Sequence, residues 1–149
     1  MTWPDFPPRV RAAFGFLRGH GFSAVDPQLT VGPFGDISVD YLSDELLVRV
    51  ARERLQLEVD FGSSRHRGDT LDLTIVCDWL CKPELRDRLE GARQGSAEDE
   101  GARLAIVAQV VAELLPSLIA QFGGPQFVEA WRLVRAHRLA KRKRERGIP

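Results

Sequence analysis

Cysteine is nearly absent from this chain: Cys77 and Cys81 are the only two, with no Cys or His cluster beside them. A disulfide framework is therefore excluded, and so is a zinc site of any recognised spacing. In a helix both thiols would share one face, and we expect two reduced, mostly buried small residues rather than a redox pair. Histidine is scarce as well. His20, His66 and His137 have no triad or ligand partner at a recognised spacing. No G-x-S-x-G elbow surrounds Ser63-Ser64, and Gly32-Pro33-Phe34-Gly35 lacks both the Lys and the following helix of a phosphate loop. Without a catalytic constellation, the sequence reads as non-enzymatic, with no catalytic residue, no metal ligand and no cofactor expected, and an enzyme of unrecognised type stays open as an alternative.

A secretion signal is missing too: Met1-Thr2-Trp3-Pro4-Asp5 offers neither a basic stretch nor an apolar run, so a cytoplasmic location is the expectation. The longest apolar stretch, residues 104–122, carries Gln109, Glu113 and Pro116 and follows Arg103. No bilayer span, and no membrane partner, is expected from it.

Net charge is also lacking, since 21 Lys and Arg balance 21 Asp and Glu. The balance is uneven along the chain. Residues 131–149 hold eight cations and one acid, a net +7, which leaves −7 for the first 130. The basic run includes Arg135, Arg138, Lys141, Arg142, Lys143 and Arg144, a footprint suited to nucleic acid as an alternative function. No aromatic follows Trp131 to stack on bases. Cations at a helix end also complement its dipole, or meet an acidic partner.

What is present is a clear pattern. Pro7-Pro8 and then Val10, Ala13, Phe14 and Leu17 predict a helix that ends at Gly19-His20-Gly21. A loop over residues 23–33 follows. Four runs then alternate with period two: 37–41, 46–50, 55–61 and 71–75, with turns at Ser43-Asp44-Glu45 and Arg52-Glu53-Arg54 and a polar loop over 62–69. Helical spacing takes over from Asp78. Ser96-Ala97-Glu98-Asp99 resembles a capping box opening a long helix that Pro116 should kink, and Gly123-Gly124-Pro125 separates it from a last helix. That long helix is apolar on more than one side. The expected fold is α+β: one domain over residues 1–149, a four-stranded antiparallel meander with the first and third long helices on one face. Residues 140–149 form a basic tail trailing into solvent.

With Ile37, Val48, Leu57 and Leu73 facing the core, alternation puts Asp36, Asp40, Glu58, Asp60 and Asp72 on the opposite face, with Arg49 the one cation among the strand centres. So many carboxylates repel one another, and a face needing only solubility usually mixes its signs. The order Phe14-Gly15-Phe16-Leu17, a spacer, Gly21-Phe22, and an alternating meander over 37–41 and 46–50 resembles small α+β immunity proteins of bacterial polymorphic toxin systems. The likeness covers about residues 6–76. It implies a non-catalytic inhibitor that binds a toxin-like protein with a basic surface. The site residues expected for that partner are Asp36, Asp40, Arg49, Glu58, Asp60 and Asp72.

Overall fold

Apolar residues at helical spacing and then at period two organise the chain as the pattern predicts, and the fold is α+β. The computed structural model describes residues 5–25, 28–29 and 36–147, with the side chains of 28–29 excepted. The opening four residues, the Gly32-Pro33-Phe34-Gly35 segment and the last two residues of the tail lie outside that set. Helix α1 (Phe6–Ala13) starts on its two prolines and buries Phe6 and Val10. A 3-10 segment, Gly15–His20, continues it to Gly21, whose φ of 85° needs a residue without a Cβ.

Six strands follow: β1 (Ser23–Ala24), β2 (Gln28–Leu29), β3 (Ile37–Leu42), β4 (Leu46–Glu53), β5 (Gln56–Ser63) and β6 (Thr70–Asp72). The sheet order is β1-β3-β4-β5-β6, with β2 also on β3, and every pairing is antiparallel. The order thus holds five strands rather than the four expected, because β1, a short piece of the 23–33 loop, pairs with β3, and a second piece, β2, pairs with β3 off that order. The turn between β4 and β5 also moves. Arg52 and Glu53 belong to β4, and the turn is Arg54-Leu55, both with left-handed φ of 49° and 68°. Such a conformation costs an L-residue roughly 1–2 kcal/mol, and nothing in an Arg-Leu pair advertises it.

The fourth expected run is cut short. Leu73 and Ile75 lie not in a strand but in helix α2 (Leu73–Trp79). Asp72 causes the switch, since its Oδ1 accepts from the Thr74 backbone N–H at 2.9 Å and from Thr74 Oγ1 at 2.8 Å, an N-cap that starts a helix. Leu73, Val76 and Cys77 then point inward at helical spacing. Cys77 is buried and Cys81 exposed, both free. Their shared helical face does not exist, because Cys81 sits past the helix end with φ 57°. The cap is of Schellman type, with Lys82 N–H on Cys77 O and Cys81 N–H on Asp78 O.

Helices α3 (Pro83–Arg93), α4 (Glu100–Phe122) and α5 (Phe127–Glu145) complete the chain. Ser96 does not cap α4. Arg103 donates instead to Ser96 O at 2.9 Å and to Asp99 Oδ1 at 2.8 Å, so the candidate capping box is gathered by a guanidinium. Helix α4 continues through Pro116. By length and a mean hydropathy of 1.7 it could cross a membrane, yet here it is the central core helix. Residues 140–145 remain helical rather than trailing away.

One sheet face carries Ile37, Val39, Tyr41, Val48, Val50, Leu57, Val59 and Phe61 into the core. Helices α1 and α4 cover it, joined by α5: Phe61, Phe122 and Trp131 meet edge to face with centroids 5.3–6.0 Å apart. Arg52 also points to this side. It meets Glu100 with two hydrogen bonds of 2.9 and 2.7 Å, both side chains buried, and lies over the Phe6 ring at 4.7 Å.

Candidate functional site: a carboxylate row on the second sheet face

Strand pairing aligns Asp40 with Arg49, Arg49 with Asp60, and Asp60 with Asp72 in one row across β3 to β6. Glu58 stands one step along, opposite Ala51. Asp40, Arg49, Glu58, Asp60 and Asp72 therefore share the face that alternation assigned them. Asp36 stands apart, before β3, where its Oδ1 accepts from the Arg54 backbone N–H at 2.9 Å.

The row divides into two halves. Asp40 is 2 % exposed and accepts from two guanidiniums. Arg49 donates Nε at 2.7 Å and Nη2 at 3.0 Å, while Arg67, from the 62–69 loop, donates Nη2 at 2.8 Å and Nε at 3.3 Å. Arg49 Nη2 also donates to Arg67 O at 3.1 Å, which pins the loop over the strand. Gly62 permits the close return, for a Cβ there would lie 2.7 Å from Asp69 O. Burial pushes the Asp40 pKa up, but the hydrogen bonds from Arg49 and Arg67 outweigh it and hold the carboxyl below its usual value. Asp40, proposed from sequence as a contact residue, is instead an internal anchor that cannot touch a partner.

The other half keeps an excess of acid. Arg93, at the end of α3, donates to Glu58 Oε1 at 3.1 Å and to Asp72 Oδ2 at 2.8 Å, and Glu90 Oε2 lies 3.4 Å from its Nε. Arg49 attracts Asp60 but gives its hydrogen bonds to Asp40. Burial, then Asp72 and Glu53, push Asp60 up to about 6 against the pull of Arg49 and Arg93. Burial and Glu53, which shares a hydrogen bond with Glu58, push Glu58 up to about 7, with Arg93 opposing.

Glu58, Asp60 and Asp72 bring one oxygen each within 4.8 Å of one another, an oxygen set a hard divalent cation accepts. Two of those three carboxylates already face Arg93.

The basic residues do not form one stripe. Arg135 pairs with Asp69 and Lys141 with Asp78, and Arg138 turns into a cleft between α5 and α2. Arg142, Lys143 and Arg144 are exposed. Among the described residues, no histidine side chain makes a hydrogen bond. Arg67 and Arg93, which decide the electrostatics of the row, gave no signal in the sequence beyond their charge. Comparison of the chain with protein-family models, with curated proteins and with solved structures finds no match.

Proposed function

We propose that the chain is a non-catalytic protein-binding module that captures a basic protein partner, in the manner of an immunity protein blocking a toxin. The surface is the acid-rich half of the sheet face: Glu53, Glu58, Asp60 and Asp72. The observation that supports this reading is the mismatch of charge there. Arg93 donates to Glu58 and Asp72 but not to Asp60 or Glu53, and burial first, then repulsion among these carboxylates, raises Glu58 and Asp60 well above ordinary carboxylate values. A cation supplied from outside relieves that repulsion, so a partner's Arg or Lys gains more here than on an evenly charged surface.

The test uses the product of the gene adjacent to this one, purified and passed over the immobilised chain at low and at physiological salt. We expect fast, salt-sensitive association, slowed about tenfold or more in the Glu58→Gln/Asp60→Asn variant. An adjacent toxin that binds the variant as fast as the wild type would remove the acidic face from the proposal. A neighbourhood without a toxin gene would remove the immunity reading.

A second reading is nucleic-acid binding through α5, favoured by the exposure of Arg142, Lys143 and Arg144. It requires affinity that falls steeply with salt.

A further inference from the structure

Helices α2, α3 and α5 enclose a cleft of about 190 Å³ that the carboxylate row does not use. Its base is Asp78, whose two oxygens are taken by Arg86 at 2.5 Å and by Lys141. Burial raises the Asp78 pKa, but the hydrogen bonds from Lys141 and Arg86 outweigh it and hold the carboxyl below its usual value. The acid is therefore ionised and fully engaged. Glu90, on the α3 wall, lies beside Arg93, and Glu145 is exposed on the last turn of α5.

The α5 wall is different. Arg138 and Arg142, one helical turn apart, and His137 face the opening. Arg138 Nε is shut off from solvent and has no acceptor. Tyr41 Oη, Trp131 Nε1 and Arg93 Nε are the other buried side-chain atoms without a hydrogen bond among the described residues. The first two are neutral, and the third has Glu90 at 3.4 Å. Arg138 alone of these is a charged group with neither a hydrogen bond nor an ion pair. A buried N–H on a cation is costly to leave unmet, and Arg138 is one of the residues that line the cleft.

We propose that this cleft binds a small phosphorylated molecule by its terminal phosphate monoester. Arg138 and Arg142 supply two guanidinium forks from one side, a geometry suited to the oxygens of a phosphate. Across the whole lining four cations, Arg86, Arg138, Lys141 and Arg142, stand against three carboxylates, Asp78, Glu90 and Glu145, a net positive charge that favours an anion. The volume fits a phosphoryl group with a small organic body and is below that of a drug-sized pocket. This site touches the acidic sheet face only through Glu90, which lies beside Arg93, and the two proposals are tested by different ligands, so either can fail alone.

The experiment is calorimetric titration of the full chain with inorganic phosphate, with ribose 5-phosphate and with malonate. Ribose 5-phosphate should bind most tightly and raise the melting temperature by mass action. Inorganic phosphate should bind more weakly at the same place, and malonate least. Arg138→Gln should weaken ribose 5-phosphate binding about tenfold or more, while Arg9→Gln, exposed on α1 and outside the cleft, leaves it unchanged. Amide shifts of the wild-type chain on titration should centre on residues 74–78 and 137–142, a readout that does not depend on any variant folding. Malonate binding equal to ribose 5-phosphate would replace the phosphate specificity with general anion binding. Absence of binding by all three probes, or shifts centred elsewhere, would overturn the site.

Discussion

Asp40 and Asp60 stand on either side of Arg49 in one row of the same sheet face, each directly opposite it, yet their chemistry diverges. Asp40 takes four hydrogen bonds from Arg49 and Arg67 and stays ionised well into acid. Asp60 receives charge attraction but no hydrogen bond from Arg49 and Arg93, faces Asp72 across the ladder, and is raised to about 6. One guanidinium has one fork. Once the 62–69 loop brings Arg67 to Asp40, the geometry on that side is complete, and the β5–β6 side is left with surplus negative charge. Register makes neighbours, but the supply of donors decides which neighbour is an anchor and which remains reactive to its surroundings.

Three variants bear on that contrast. The largest effect is expected from Asp40→Asn, which leaves two facing guanidiniums without their anion and should cost about 3 kcal/mol in urea unfolding. A loss no larger than that of a surface carboxylate would erase the distinction between the halves.

Next comes Glu58→Gln/Asp60→Asn. The folded values of about 7 and about 6 exceed the ordinary 4.5 and 3.8, so the native state binds more protons than the unfolded chain in that window. Wild-type stability should therefore rise by roughly 4 kcal/mol at most as pH falls from about 8 to about 5. The double variant should show a flat profile and exceed the wild type at the alkaline end. Asp40 runs the other way: its contribution is present above its ordinary value of 3.8 and is lost only as pH falls below it. A wild-type curve that falls between pH 8 and 5 would contradict the assignment of the acidic half.

The smallest effect is expected from Arg67→Ala. Its side chain is 37 % exposed, so screening limits the loss to about 0.5–1 kcal/mol, read as a shift of the urea midpoint at constant slope. The acidic half should keep its pH profile unchanged.

The alternation of residues 37–61 made the sheet and the sharing of a face by Asp40, Arg49, Glu58, Asp60 and Asp72 legible, because side-chain direction in a strand has a rigid period. Burial on that face was not legible. It depends on where the 62–69 loop and the end of α3 lie, and both are positioned by contacts remote in sequence, namely Arg67 on Asp40 and Arg93 on Glu58 and Asp72. Leu71, Leu73 and Ile75 read as strand because their spacing fits one, while a single side chain, that of Asp72, capped a helix in mid-run. The β4–β5 turn was misplaced for a related reason. Arg54 and Leu55 adopt left-handed backbone without Gly or Asn, so tertiary structure and the Asp36 carboxylate hold a turn that local preference disfavours.

The pair between Arg52 and Glu100 spans 48 residues of sequence and carries a consequence for the order of events in folding. The β4–β5 hairpin closes over a few residues and needs nothing from the C-terminal half, whereas Glu100 reaches Arg52 only after α4 has docked. Interactions that form after the rate-limiting step leave the folding rate alone and act on escape from the native state. Where α4 docks after that step, this buried pair is a late latch, and Glu100→Gln is expected to speed unfolding while leaving the folding rate unchanged.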